Sequence, residues 1–274
     1  MMQIGIIGLG LMGGSFGLGL KKSGYSVLGF DLDAKNRQSA LDLGLIDEIC
    51  EFERIKKCDV IILAIPVEAI ISLMDKLSDV DEDTTIIDFG STKEAIAQAI
   101  PETIAARFIP AHPMTGTEKH GPKAARSGLY EDKIVVLCDL HRVDTLHKNR
   151  AYGLFETVKM KIVTMDSSDH DLHAAFISHM PHALSFALAK AVLAQEDPKS
   201  ILTLAAGGFK DMSRLAKSSP QMWSDIFKQN RQNMLRSLEC LENELNKCKL
   251  MIEKDDYEAM DRWIKDANKL HHIL

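Results

Sequence analysis

The glycine-rich stretch near the start of the chain restricts the possible folds more than any other feature. An apolar run from Gln3 to Ile7 predicts a buried strand, and Gly8, Gly10 and Gly13 follow it in the spacing G-x-G-x-x-G. The first glycine permits a tight turn, the second lets a pyrophosphate approach the backbone, and the third lets the next helix pack against the strand. We therefore expect a strand, a turn and a helix that bind a dinucleotide. The alternative is a glycine-rich turn in an α/β domain without a ligand.

An acidic residue stands at the distance from these glycines that dinucleotide binding requires. Asp31 ends a second apolar run, Tyr25 to Phe30, and is placed to accept hydrogen bonds from the adenosine ribose hydroxyls. Its charge should repel a 2′-phosphate, and the next two residues supply no arginine that would attract one. The predicted cofactor is therefore NAD. The residues expected to contact it are Gly8, Leu9, Gly10, Leu11, Met12, Gly13, Asp31, Ile65 and Ser91.

Two different patterns divide the chain. Strand-like and helix-like runs alternate up to about Asp166, which predicts parallel pairing in a doubly wound, Rossmann-type sheet. No strand-like run follows Ser167, and a helix is expected from Gln221 to about Cys248. The predicted architecture is a dinucleotide-binding α/β domain over residues 1–165 and an all-helical domain over residues 166–274.

The longest apolar helix predicts an assembly. Residues Ala174 to Leu193 carry few charges, so a helix there needs apolar neighbours on all sides. One small helical domain would struggle to supply them, and a second copy of the chain could. We therefore expect a homodimer through the C-terminal helices.

Composition and charge narrow the class of function. The net charge of −6 over 274 residues provides no basic field for nucleic acid. No apolar run approaches the roughly 18 residues that a bilayer span needs, and Met1 leads directly into a strand without room for a signal peptide. The five cysteines match no metal spacing and predict reduced thiols. We expect a cytoplasmic protein without nucleic-acid or membrane partners.

Two residues follow strand-like runs where ligands bind in open α/β sheets. Ser91 comes after the run Thr84 to Asp88 and could cap the next helix, contact a ligand, or do both. His112 comes after Arg107 to Ile109, on a loop made rigid by flanking prolines. A single histidine is more often structural than catalytic, but one beside a nicotinamide site is a candidate general base.

Two further groups of polar residues lie in the helical part. His179 and His182 share a helix face that Pro181 should kink, because Pro181 cannot donate to the carbonyl of Ile177. They more plausibly line a pocket than bind a metal together with His170, Asp171 or His173, so no metal is expected. Asp211 and Arg214 form either a surface ion pair or a carboxylate clamp in which Asp211 orients Arg214.

These stretches together resemble the prephenate dehydrogenase (TyrA) family of tyrosine biosynthesis. The resemblance covers essentially the whole chain and follows the order of the family's motifs. The first motif would also fit β-hydroxyacid dehydrogenases, and the two histidine-containing motifs separate the two families. The matching segments are GLGLMGGS from Gly8, GSTK from Gly90, HPMTGTE from His112, SHMPHA from Ser178 and GFKDMSR from Gly208.

The resemblance implies a reaction and a role for each motif. Prephenate would lose hydride from its hydroxyl-bearing ring carbon to NAD+ and lose carbon dioxide, which gives 4-hydroxyphenylpyruvate. His112 would take the hydroxyl proton, Ser91 would orient His112 and the hydroxyl, and Arg214 would hold a carboxylate. A neutral histidine is required, so activity should rise with pH through an ionisation near the ordinary value of about 6.5. The remaining substrate contacts would be Ser178, His179 and His182 around the side chain, Asp211 and Trp223 as supports, and Thr117 and Glu118 at the pocket mouth.

Three alternatives remain open at this stage. An arogenate or cyclohexadienyl dehydrogenase would use the same motifs on a substrate that carries an ammonium group. A β-hydroxyacid dehydrogenase would need a catalytic lysine, for which Lys210 could be nominated. A dinucleotide-sensing dimer would need no chemistry, which would leave His112, Ser91 and Arg214 without a function.

Overall fold

The computed structural model describes residues 2–117 and 119–273; Met1, Glu118 and Leu274 lie outside them. One eight-stranded sheet forms the centre of the first 165 residues. Each strand is short, and the six strands between the two edge strands are mostly buried, as the apolar runs predict. The strands are β1 Gln3–Ile7, β2 Ser26–Phe30, β3 Glu48–Ile49, β4 Val60–Leu63, β5 Thr85–Asp88, β6 Phe108–Pro113, β7 Ile134–Cys138 and β8 Lys161–Met165.

The strand order across the sheet is β3-β2-β1-β4-β5-β6-β7-β8. The predicted parallel pairing is confirmed for all neighbours except β6 and β7, which are antiparallel. The exception arises because β7 begins at the edge where β6 ends, so that Pro113 pairs with Val135. The chain between them returns without crossing the sheet.

Helices flank both faces of the sheet. The glycine-rich turn leads into α1, and Asp33 caps α2 by accepting a hydrogen bond from the amide of Lys35 at 2.8 Å. The bounds are α1 Leu11–Lys22, α2 Ala34–Asp42, α3 Phe52–Ile55, α4 Val67–Leu73, α5 Glu94–Ala99, α6 Glu102–Ala105 and α7 Thr145–Thr157.

Alternate strand residues fill two separate cores, one on each face of the sheet. Ile4 and Ile6 of β1 belong to one core, and Ile7 belongs to the other. In the first core Phe16 packs edge-on against Phe89, with ring centroids 5.0 Å apart. This burial holds α1 on the sheet directly behind the glycine-rich turn.

The remainder of the chain is helical, as predicted. The predicted helix from Gln221 to Cys248 is interrupted at Asn230, which ends one helix and begins the next. No helix in the described part of the chain is long and apolar enough to cross a membrane. The bounds are α8 Ser167–Ala174, α9 Met180–Leu193, α10 Pro198–Thr203, α11 Gly207–Ser213, α12 Pro220–Gln229, α13 Arg231–Glu253 and α14 Tyr257–Asn268.

A π-helical turn, Ala175–His179, joins α8 to α9. The sequence predicts a kink at Pro181, but Pro181 lies in the first turn of α9 and the π turn precedes it. Pro181 has no amide hydrogen to donate, and the wider π turn before it takes the place of a regular α-helical turn. The helix α8 therefore continues into α9. Such turns occur often at functional sites.

Candidate active site

The glycine-rich turn lies where the strand order reverses, between β1 and β4. Gly8 has φ +94°, and a Cβ there would lie 2.4 Å from the carbonyl oxygen of Ala64 and 2.7 Å from Ile65. A Cβ on Gly13 would lie 1.9 Å from the carbonyl oxygen of Gly8. Gly10, by contrast, has open space in front of it, because a Cβ there would lie 4.0 Å from its nearest neighbour, the amide nitrogen of Gly121. The turn therefore fits a dinucleotide, because its backbone is closed on the protein side and open at the helix N-terminus.

Asp31 is held in place at the end of β2. Its Oδ2 accepts a hydrogen bond from the amide of Leu9 at 2.9 Å, and its Oδ1 accepts from the amide of Asp33 at 2.9 Å. Neither of the two residues after Asp31 is an arginine, but an arginine stands one turn into α2. Arg37 lies over the ring of Phe30 at 5.9 Å from its centroid. The carboxylate is thus tied to the glycine-rich turn.

A buried ion pair joins the ends of β5 and β6. Lys93 and Asp88 are both fully buried, and the Lys93 ammonium donates to Asp88 Oδ1 and, at 2.7 Å, to the carbonyl oxygen of Ala111. Asp88 Oδ1 also accepts from the amide of Gly90 at 2.7 Å. These contacts fix the loop that carries Ser91 beside the strand that carries the candidate base.

Ser91 is half-buried in this loop and does not cap the next helix. The helix α5 starts at Glu94, with Lys93 as its N-cap. The first of the two sequence-based interpretations of Ser91 is therefore wrong. Its position beside the end of β5 leaves the second, contact with a ligand, as the role to test.

The sequence suggests that His112 is on a loop after a strand, but in the structure His112 lies inside β6. It pairs with Val136 across the antiparallel step of the sheet. Its Nδ1 is 2.8 Å from Nε2 of His170, and Nδ1 of His170 is 2.8 Å from Oδ1 of Asp171. His112, the candidate base, is therefore the last of three hydrogen-bonded side chains. The other two, Asp171 and His170, belong to the helical domain.

Burial lowers the pKa of His112 well below the ordinary histidine value, and the neighbouring His170 and Lys93 lower it further. The expectation of an ionisation near the ordinary value is therefore wrong. The imidazole of His112 is neutral at pH 7, as a general base must be.

His179 and His182 occupy different environments despite their common helix face. His179 is buried, its Nδ1 lies 3.1 Å from Nδ2 of Asn230, and burial lowers its pKa to about 4. His182 is half-buried and stacks on Trp223 with ring centroids 3.5 Å apart. Its Nδ1 donates to the carbonyl oxygen of Ser178 at 2.8 Å, which leaves Nε2 free to accept. Trp223 thus supports both histidines.

Arg214 begins a 3₁₀ turn that packs against α9, and its guanidinium is close enough to lower the pKa of His182. Both Arg214 and Asp211 are exposed, and no ion pair joins them within the described residues. Thr117 is exposed in the segment that passes near the glycine-rich turn. The predicted contact through Glu118 lies outside the described residues.

Several residues of this site are not identified by sequence reasoning. Lys93 is the last residue of the motif GSTK, but the sequence assigns it no role. Nothing in the local sequence distinguishes Asn230 from other polar residues. His170 and Asp171 enter only as metal ligands, although they are adjacent to the helical motif. The sequence signal for these two residues is that they are adjacent and precede the motif that begins at Ser178. No local pattern reveals that His170 contacts His112.

Comparison with known families agrees with this arrangement. Residues 16–164 match the family described as prephenate dehydrogenase, nucleotide-binding domain, and residues 166–266 match the family described as prephenate dehydrogenase, dimerization domain. The chain belongs to the prephenate dehydrogenase family. As a member of that family it is an oxidoreductase with a nucleotide-binding domain. The resemblance stated from the motifs is thereby confirmed.

Three similar proteins show how far the similarity extends. The prephenate dehydrogenase of Bacillus subtilis is 31% identical over 271 residues, which cover 96% of this chain and 73% of that protein. The cyclohexadienyl dehydrogenase of Zymomonas mobilis is 30% identical over 285 residues, which cover 99% of this chain and 96% of that protein. A crystal structure of prephenate dehydrogenase from Aquifex aeolicus, with hydroxyphenyl propionate and NAD+, is 33% identical with a TM-score of 0.93, covering 100% of this chain and 99% of that chain.

Proposed function

We propose that this enzyme converts prephenate to 4-hydroxyphenylpyruvate by NAD+-dependent oxidative decarboxylation. The observation that carries the proposal is the position of His112, which lies at the ligand edge of the sheet and is hydrogen-bonded through Nδ1 to His170, where burial lowers its pKa well below the ordinary value. The glycine-rich turn lies on the same edge. This reaction needs a base, a dinucleotide site and a cationic side chain that holds the substrate. Bound NAD+ supplies the acceptor for the hydride.

The protein's own groups supply the proton transfer and the orientation. His112 accepts the proton of the ring hydroxyl at Nε2, because Nδ1 is occupied by His170. Ser91 orients that hydroxyl from the adjacent strand end. Loss of carbon dioxide then makes the ring aromatic, which drives the step forward. The buried Asp88–Lys93 pair keeps the two strand ends in register during the reaction.

The helical domain holds the anionic groups of the substrate. Arg214 binds a carboxylate, and His182, supported by Trp223, contacts the pyruvyl side chain together with Ser178 and His179. An arogenate side chain carries an ammonium group, which would want a carboxylate nearby, and this pocket offers imidazoles. We therefore propose prephenate as the preferred substrate, with arogenate as the alternative.

Purified enzyme tests this assignment by reduction of NAD+ with each substrate. A higher kcat/KM for prephenate than for arogenate is the expected result. Preference for arogenate would shift the substrate assignment while leaving the chemistry in place. Absence of turnover with both would contradict the proposed function.

For Arg214 we expect a binding defect. Replacing it by glutamine removes a charge-assisted contact worth about 1.5–3 kcal/mol, so KM should rise by about 10-fold to 150-fold. A change in kcat smaller than the change in KM is expected, because a clamp acts on the ground state and the transition state alike. Steady-state kinetics measure both. Lys217→Gln, in the same exposed turn, is the matched control. Equal KM values for wild type and Arg214→Gln would exclude the clamp.

Asp31 should determine the choice between NAD and NADP. The native enzyme should prefer NAD, because the carboxylate of Asp31 faces the position of a 2′-phosphate. In Asp31→Asn the preference should fall by about tenfold or more, which corresponds to about 1.4 kcal/mol. The ratio of kcat/KM for the two cofactors is the measurement, and Asp42→Asn, exposed at the end of α2, is the control. Equal use of both cofactors by the native enzyme would contradict this prediction.

We further propose a homodimer through the helices beyond residue 166, in the cytoplasm. The apolar face of the helical domain supports it: Leu204 is 85% exposed, Ile177 69% and Leu193 60%. The family match for this part of the chain is described as a dimerization domain. Free cysteines at all five positions suit a reducing compartment. A stable monomer at micromolar concentration in sedimentation velocity would contradict the dimer.

A further inference from the structure

We propose that Asp171 is a positioning residue with two linked tasks. It sets the tautomer of the base His112 through His170, and it seats the helical domain on the N-terminus of α5. The proposal rests on the proposed role of His112 as the base. Its consequence is that the base is in its active form only when the two domains are docked.

The first task follows from the direction of each hydrogen bond. A carboxylate only accepts, so the proton between Asp171 Oδ1 and His170 Nδ1, 2.8 Å apart, belongs to His170. With its ring proton on Nδ1, His170 presents a lone pair at Nε2. The 2.8 Å contact from this atom to His112 Nδ1 therefore places the proton on His112 Nδ1. What remains on His112 is an unprotonated Nε2, the atom that takes the substrate proton.

The same carboxylate performs the second task. Its Oδ1 accepts from the amide of Lys93 at 2.8 Å, and its Oδ2 accepts from the amide of Glu94 at 3.0 Å. These are the first amides of α5, a helix that has no capping side chain of its own. Asp171 is thus joined to the loop that carries Ser91, although 77 residues separate it from Glu94.

Other side-chain hydrogen bonds between the two parts of the described chain are only partly buried or exposed, among them the one from the amide of Ser167 to Asp139 Oδ1 at 3.0 Å. Lys228 and Glu68 form an ion pair at 2.8 Å with exposed side chains, and such pairs contribute little. Thr92 Oγ1 donates to Gln229 Oε1 at 2.9 Å. Asp171, by contrast, is 1% exposed, and its own carbonyl oxygen accepts from Asn230 at 2.7 Å. A buried carboxylate that accepts from two amides of the other part of the chain is therefore the main polar joint.

The carboxylate of Asp171 also favours the proton transfer to His112. When His112 takes the substrate proton it becomes a buried cation, which the low dielectric penalises. The negative charge of Asp171, two hydrogen bonds away, offsets part of this penalty. Removing it should therefore lower kcat more than it raises KM.

Two variants separate the two tasks. His170→Phe breaks the link to His112 and leaves the carboxylate on α5, whereas Asp171→Ala removes both. We expect kcat to fall about 10-fold to 100-fold in each, the range known for carboxylates that orient a histidine in metal sites. The melting temperature should fall only in Asp171→Ala. Glu68→Gln, which breaks the exposed contact, should leave kcat within about twofold of the native value.

Nitrogen-15 spectra of the histidines test the tautomer without any turnover. In the resting enzyme His112, identified by its absence from the His112→Asn spectrum, should show Nδ1 protonated and Nε2 unprotonated. In His170→Phe and Asp171→Ala this single tautomer should be lost. A native His112 protonated at Nε2, or His170→Phe with native kcat, would overturn the proposal. If the tautomer is as expected but His112→Asn retains native kcat, the proposed base is wrong and the positioning by Asp171 still stands.

Discussion

Replacing His112 by asparagine is expected to lower kcat by about 10²–10⁴-fold, the range that general-base catalysis usually contributes. Asparagine keeps a hydrogen-bonding side chain near His170 but cannot accept the hydroxyl proton and hold it. KM should change much less, because in the proposed complex the helical domain holds the anionic groups of the substrate. His141→Asn, on an exposed 3₁₀ turn away from the site, is the matched control.

The pH dependence of kcat/KM provides an independent check on His112. The base must be neutral, so activity is lost as the pH falls through its pKa and is constant above it. Burial lowers that pKa well below the ordinary histidine value, so the plateau should extend to acidic pH before activity declines. The decline should disappear in His112→Asn. If that variant keeps near-native kcat with the same profile, the base must be sought elsewhere, first at His182.

Gly13→Ala is expected to abolish the cofactor site. The new methyl group would lie 1.9 Å from the carbonyl oxygen of Gly8, which is backbone and cannot rotate away. Either α1 moves off β1 or the turn opens, and overpacking of this kind typically costs about 1–3 kcal/mol or more. The melting temperature should fall, and NAD+ titration by calorimetry should show no binding.

Two other glycines make this experiment specific. Gly10→Ala meets no protein atom closer than 4.0 Å, so it should fold normally and lose NAD+ affinity alone. Gly153→Ala, inside α7 with no atom within 4 Å, should leave NAD+ affinity unchanged and should not lower the melting temperature, because alanine favours a helix more than glycine does. Native NAD+ affinity in Gly10→Ala would show that the dinucleotide does not approach this backbone.

Local sequence patterns were sufficient for much of the first domain. Gly8 at φ +94° and Gly13 against backbone have no substitute, so the spacing from Gly8 to Gly13 predicts the turn reliably. Asp31 is close to the turn because β1 and β2 are neighbours in both sequence and space. The change from alternating elements to helices alone likewise requires only periodicity. The nucleotide-binding domain follows from these local features, and the two histidine-containing motifs add the family.

Tertiary structure alone decided how the site is connected. His112 contacts His170 across 58 residues, and Asp171 contacts Lys93 across 78, distances at which periodicity carries no information. The antiparallel step between β6 and β7 and the π turn before Pro181 depend on how neighbouring segments pack. The lowered pKa of His112 depends on burial by side chains from both domains. A sequence specifies which groups are present, but the packing of distant segments sets which of them share a hydrogen bond and exclude water.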